Sequence, residues 1–179
     1  MPKKLDIALL GNPAIRQTCE AVDDVQALSI QSLIDDMFHT MEQAGGVGIA
    51  APQVHADKRI IILGSRPNAR YPYAPNMEPT AMINPELLWA SEEKEKGWEG
   101  CLTVPGIRGL VPRSTHIKVR YLTRDGESIE TEYEGFIARV FQHEVDHLDG
   151  HVFIDRVEST LDLMAEAEWL ETVMPQQKA

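Results

Sequence analysis

His143 and His147 stand four residues apart, with Glu144 between them, in the run His-Glu-Val-Asp-His. On a helix, residues four apart share a face, so both imidazoles can reach a single metal ion. Glu144 lies one position along, off the metal but close enough to move protons for a water held there. Residues 143–147 are therefore expected to form a helix, with two histidines on a solvated helix face as the alternative to a metal site. Chance alone would produce such a run in roughly two chains of this composition in a hundred, so its flanks matter. Ile137, Val140, Phe141 and Leu148 recur at helical spacing, and Gly150 supplies a C-terminal stop.

Two histidines leave a metal under-ligated, and the third ligand decides the class. A metzincin would need a further histidine where this chain has Phe153. A thermolysin-like site would use a downstream carboxylate, for which Glu166 and Glu168 qualify by distance. However, little chain follows His147 to build a second lobe. A closed structural site would need a fourth protein ligand, with His116 and His151 as the spare histidines. The upstream Cys101, in Trp-Glu-Gly-Cys-Leu-Thr-Val-Pro, is the better candidate. One thiolate with two neutral imidazoles leaves an open position, the arrangement of a catalytic site. Cys19, in Gln-Thr-Cys-Glu, reads instead as a small buried hydrophobe.

A third segment, Gly-Val-Gly-Ile-Ala-Ala-Pro-Gln at 46–53, is small at nearly every place. Gly46, Gly48, Ala50 and Ala51 allow the backbone of an extended ligand to approach closely, as β-pairing with a peptide requires. Gln53 ends the run with an amide that can donate to a developing oxyanion. The segment lacks the lysine and the third glycine of the phosphate-binding loops. On its own, it also suits a tight helix-to-strand connection.

Together, GVGIAAPQ (46–53), EGCLT (99–103) and QHEVDH (142–147) resemble, in order and in spacing, the three motifs of the peptide deformylases. The resemblance runs from about Leu5 to Arg156. It implies a metal-dependent hydrolase that removes the formyl group from formyl-methionyl nascent peptides and releases formate. By position, Cys101, His143 and His147 correspond to the metal ligands and Glu144 to the acid/base. Gln53 and the backbone N–H of Leu102 correspond to the oxyanion donors. Gly48 would bond the substrate backbone, and Val47 and Phe136 would wall the pocket for the methionine side chain. Arg108 falls where many members carry a substrate-side arginine. Glu99 and Arg113 are placed to pair near the site, or to form an ordinary surface ion pair of small energetic value.

The resemblance implies one divalent ion, Fe2+ in the cell, with Zn2+, Ni2+ and Co2+ as substitutes that the same donor set accepts. It also implies transient association with the ribosome, where the family often uses a basic C-terminal helix. Leu161 to Met174 holds Asp162, Glu166, Glu168 and Glu171 but no lysine or arginine, so that mode of docking does not transfer directly. Two further departures stand out. Thr103 takes the place of a serine, and its added methyl would crowd the strand. Pro52 removes a backbone donor just before Gln53, which suits a fixed loop better than a paired strand.

The rest of the chain frames these motifs. Its 179 residues make one domain by length, which the resemblance makes a single catalytic domain, residues 1–179. Two cysteines and no apolar leader point to the cytoplasm, and no stretch approaches a membrane span. A net charge of −11 argues against direct affinity for nucleic acid. Apolar periodicity predicts a helix from Val25 to Ala44, stopped by Gly45 and Gly46. Strands are expected at Arg59–Leu63, Ala81–Trp89, Ile117–Leu122 and Ile129–Tyr133, the last two joined by a turn at Asp125–Gly126. Ser65 to Pro79, with four prolines, is expected to be a long loop, with Tyr71 or Tyr73 in reach of substrate. Asn84-Pro85 and Trp98-Glu-Gly read as structural. The fold class that follows is α+β: mixed or antiparallel sheets around a central metal-binding helix, with an N-terminal and a C-terminal helix.

Overall fold

A computed structural model describes residues 1–68 and 70–178; Ala69, within the loop expected at 65–79, and Ala179 lie outside the described residues. Two antiparallel sheets enclose one helix. The larger sheet runs in the order β1 (Gly48–Ala50), β2 (Ile60–Ser65), β3 (Met77–Ala90), β6 (His116–Leu122), β7 (Ser128–Glu134). The smaller contains β4 (Lys94–Cys101), β5 (Val104–Ser114) and β8 (Leu163–Ala165). Helix α2 (Gly135–Leu148) lies between them, α1 (Leu28–Gln43) covers the far face of the larger sheet, and α3 (Glu166–Thr172) follows β8.

Strand β2 shows why the layers stack in this way. Its residues are all buried, and alternation sends Ile61 and Leu63 towards α2 while Ile60 and Ile62 meet α1. An uninterrupted apolar run is what a strand covered on both faces requires. Against Ile61 and Leu63, helix α2 packs Ile137, Val140, Phe141 and Leu148. Behind Ile60 and Ile62, helix α1 packs Ile30, Ile34, Met37 and Met41. Full burial of one such side chain contributes roughly 1.5–3 kcal/mol, so these layers supply most of the force that fixes α2. The adjoining polar face of α2 buries His143, Asp146 and His147 against the smaller sheet, while Glu144 packs on Gly48 of β1 in the larger one.

The turns that end α2 and deflect β3 are built by specific residues. Gly150 has φ 76°, and a β-carbon there would lie 2.8 Å from the Arg16 carbonyl oxygen, so the chain leaving α2 passes too close to the N-terminal segment for any side chain. Asn84 has φ 49°, and its side chain accepts from the Val22 N–H at 2.8 Å and donates to the Val22 carbonyl at 2.9 Å. Those bonds hold Asn84 in the left-handed region, and the register of β3 against β6 shifts just beyond it.

Four expectations change. Strand β3 begins at Met77, so Met77–Pro79 leaves the loop expected at 65–79. Helix α1 starts three residues later than predicted, at Leu28, because Asp24 to Ala27 closes into a turn instead. In the 46–53 run only Gly48–Ala50 is strand; Ala51–Val54 turns into a 3-10 helix, into which Pro52 fits at an early position. The C-terminal helix expected across Leu161–Met174 is broken. Leu163–Ala165 pairs with Ile107–Gly109 as a third strand, leaving only Glu166–Thr172 as α-helix before a 3-10 turn at Met174–Lys178. The exposed edge of β5 captures the chain there, satisfying backbone donors that a helix start would leave open. Among the described residues no helix is long and apolar enough to cross a membrane.

Candidate active site

The site forms where α2 crosses the end of the β4–β5 hairpin. β4 ends at Cys101, and the tight turn to Val104 exposes the thiol towards α2. Cys101 Sγ lies 3.2 Å from His147 Nε2, and the ligand atoms of Cys101, His143 and His147 all lie within 4.8 Å of one another. Among the described residues this is the one group of three such side chains able to hold a metal ion. His116 instead faces Glu132 at 3.1 Å on the surface, and Glu166 pairs with Arg108 at 2.6 Å. Among the described residues, neither the closed four-ligand site nor the thermolysin-like site is formed.

The donor set and its surroundings fit a divalent ion. His143 Nδ1 is 2.8 Å from Glu99 Oε2, which leaves Nε2 as the nitrogen facing the thiol and the second imidazole. Burial by itself would raise the Cys101 thiol, but His147 and His143 outweigh it and hold the group well below its ordinary range. A thiolate beside two imidazoles is a donor set for zinc, iron, cobalt or nickel. Beside it, Glu144 is 4 % exposed and its Oε2 has no hydrogen-bond partner. Burial pushes the Glu144 carboxyl up to about 7, against the lowering effect of His143 and His147. A buried acceptor without a partner, poised near neutrality beside three metal donors, is suited to holding and passing a proton.

Gly48 and Gln53 take their places around these groups. A β-carbon on Gly48 would fall 2.7 Å from Glu144 Cδ, so the glycine gives room to the carboxyl as well as to a passing ligand. Gln53 Oε1 accepts from the Ala50 N–H at 2.8 Å, which directs its amide nitrogen to Thr103 Oγ1 at 3.2 Å and Cys101 Sγ at 3.4 Å. Thr103 is fully buried and its hydroxyl anchors that amide; its methyl is accommodated without breaking the turn. The Leu102 amide belongs to the same β4–β5 turn.

The cleft extends away from the thiol, lined by Val47, Leu102, Phe136 and Arg108 among others. Its cavity volume is about 190 Å³. Tyr71 and Tyr73 from the 66–76 loop pack on Phe136, with ring centroids 5.1 and 5.9 Å away, and Tyr71 also lines the cleft. Trp98, read from the sequence as structural, lines the cleft too. Arg108 is 2 % exposed, its guanidinium bonded to the Tyr71 hydroxyl at 2.9 Å and stacked 4.7 Å from the Trp169 ring centre.

The Glu99–Arg113 pair forms, but not as a surface pair: the two side chains are 4 % and 6 % exposed. Arg113 donates to both Glu99 oxygens, at 2.9 and 3.0 Å, and to Asp146 at 2.6 Å. Asp146 is held in turn by Arg156 at 2.7 Å, and Arg139 donates to Glu99 at 3.0 Å. Although burial opposes it, Arg113 and His143 keep Glu99 well below the ordinary carboxylate range. Arg139, Asp146 and Arg156 were not singled out from the sequence. A signal existed for two of them: Arg139 stands four residues before His143 on the same helix face, and Asp146 lies inside the motif.

A thiolate and two imidazoles converging in a cleft, with a buried carboxyl beside them, define a three-ligand metal site of hydrolytic type. Comparison with known proteins agrees and narrows the class. The model of the family described as Polypeptide deformylase matches residues 4–162. The chain is 54 % identical over 172 residues to Peptide deformylase 2 of a Nostoc species, covering 96 % of each chain. It is 46 % identical over 151 residues to Peptide deformylase 1 of Bordetella pertussis, covering 84 % of this chain and 86 % of that one. The Met-Ala-Ser-bound crystal structure of a class I type b peptide deformylase from Acinetobacter baumannii superposes with a TM-score of 0.86. That match is at 46 % identity and covers 88 % of this chain and all of that one. The peptide deformylase of Thermotoga maritima gives 0.78 at 38 % identity, covering 87 % and 98 %. The chain belongs to the polypeptide deformylase family, enzymes that hydrolyse the N-terminal formyl group of peptides with a divalent metal.

Proposed function

We propose that this enzyme acts on formyl-methionyl peptides as they emerge in protein synthesis, in the cytoplasm, through one catalytic domain and with Fe2+ as its working metal. The observation that carries the reading is the convergence of Cys101, His143 and His147 beside the buried carboxyl of Glu144. Cys101, His143 and His147 would hold the ion, which when bound supplies an acidified water and a Lewis acid for the formyl oxygen. Zn2+, Ni2+ and Co2+ suit the same donors; the family resemblance favours iron, and an iron–thiolate pair would expose Cys101 to oxidation.

The protein's own groups do the remaining work. The peptide backbone runs along Gly48, and Val47 and Phe136 flank its methionine side chain. Glu144 takes a proton from the attacking water as the carbon–oxygen bond forms at the formyl carbon. The Gln53 amide and the Leu102 N–H donate to the formyl oxygen as charge builds there; losing one such donor typically costs about 2.7–4 kcal/mol of transition-state stabilisation. Glu144 then gives the proton to the amine nitrogen as the carbon–nitrogen bond breaks, and formate and the free N-terminus leave. Association with the ribosome would be transient and governed by the emerging peptide, since α3 presents Glu166, Glu168 and Glu171 and no basic residue.

The test is formate release from formyl-Met-Ala-Ser by iron- or nickel-loaded protein handled without oxygen. Rapid release from native protein, and a loss of several orders of magnitude in Glu144→Ala with metal content unchanged, is expected. No release from protein carrying one metal per chain, or methionine released from unformylated Met-Ala-Ser, would overturn the reading.

A further inference from the structure

Arg108 is the most tightly held charged residue on the cleft wall outside the metal site. It packs directly under the backbone next to Cys101, since a β-carbon on Gly100 would fall 2.7 Å from its Cζ. A peptide whose formyl end lies at Cys101 therefore passes Arg108 within its first residues, because extended chain advances only about 3.3 Å per residue. The guanidinium is nevertheless already engaged. Nη1 donates to Tyr71, Nη2 donates to Glu166 at 2.6 Å, and Nε has no partner. Glu166 itself lines the cleft, is about a third exposed (32 %), and lies beyond the stretch that the family model matches. Two further features of the C-terminal segment place it there: the pairing of β8 with β5, Arg108 opposite Met164, and the stacking of fully buried Trp169 on Arg108.

We propose that Glu166 is a specificity-determining residue, an internal carboxylate that occupies Arg108 and withholds it from carboxylates on the substrate. A guanidinium fork binds a carboxylate strongly, so an unpaired Arg108, in a cleft that Arg70 also lines, would favour aspartate or glutamate in the residues following methionine. With Glu166 in place, the local charge is balanced, and the enzyme treats acidic and neutral sequences alike. That tolerance suits an enzyme meeting many different N-termini. The inference rests on the proposed peptide orientation along Gly48 and Arg108.

Binding of unformylated product peptides tests it without relying on turnover. Nickel-loaded protein is titrated calorimetrically with amide-capped Met-Ala-Asp, Met-Asp-Ala and their asparagine counterparts. Native protein is expected to show Asp/Asn affinity ratios near one. Glu166→Gln should bind at least one aspartyl peptide about fivefold more tightly than its asparagine twin, an advantage lost in 0.5 M salt. Glu168→Gln, which removes an equal charge from an exposed position on the same helix, should leave the ratio near one. Equal ratios in native and Glu166→Gln proteins, both folded and metal-loaded, would overturn the proposal. If formate release had also failed, the functional reading itself would fall; if release were rapid, only the role of Glu166 would.

Discussion

Glu99 Oε2 and His143 Nδ1 lie 2.8 Å apart, and this contact decides which nitrogen His143 presents to the metal. The carboxylate is fixed from its other side by the two-pronged pair with Arg113 and by Arg139. A ring oriented in this way enters the metal site without reorganisation, which is how outer groups tune a metal centre. Replacing Glu99 by glutamine keeps the shape but removes the charge opposite two arginines. Affinity for Ni2+ or Zn2+ is expected to fall about 10–100-fold. Competition with a chromophoric chelator measures this; unchanged affinity would show that ring orientation is set elsewhere.

The buried carboxyl proposed to serve catalysis should weaken the fold. Burial raises Glu144 from its ordinary 4.5 to about 7 in the metal-free protein. The folded state then holds a proton that the unfolded chain has already released. Stability attributable to this group is therefore full below about 4.5 and lost as pH rises through about 7. A displacement of that size corresponds to about 3 kcal/mol. Glu144→Gln, stripped of metal, should resist urea better than native protein at pH 8 and match it near pH 4.5. A native protein as stable as the variant at pH 8 would contradict this.

The two cysteines should differ sharply in reactivity. Cys19 is 5 % exposed, and burial together with the nearby Asp57 pushes its thiol up to about 11. Cys101 faces the cleft and is held well below the ordinary range by the imidazoles. Iodoacetamide on metal-free protein at neutral pH should alkylate Cys101 more than about a hundredfold faster than Cys19. Bound metal should protect Cys101. Peptide mapping by mass spectrometry gives both rates, and comparable labelling of the two would refute the contrast.

Gly48 gives a test that separates geometry from metal binding. An alanine there would place its β-carbon 2.7 Å from Glu144 Cδ, and the carboxyl has to move. Displacement of a catalytic group by about 1 Å can cost about a hundredfold in rate. Gly48→Ala is expected to keep one metal per chain and lose turnover to about that extent. Full activity would show that Glu144 tolerates the shift.

Much of the proposed chemistry was legible in residue type and spacing. The spacing of His143 and His147 needs only a helix to form half a metal site, and α2 forms because its apolar residues recur at helical period. Cys101, Gly48 and Gln53 were ambiguous one by one, and took their places only from the three motifs together and the family that these resemble. Strands β2, β3, β6 and β7 were legible from apolar runs and turn residues, whereas the full β4–β5 hairpin was not. Other features depended on contacts between segments far apart in the chain. Leu163–Ala165 reads as part of a helix until the open edge of β5 offers it partners. Glu99 and Arg113 read as a surface pair until α2 and the β4–β5 hairpin close over them and link them to Arg139, Asp146 and Arg156. Local sequence sets backbone preference and residue chemistry; burial and the identity of a charge's partner exist only once the sheets close around the helix, and those two quantities set the strength of the charges at this site.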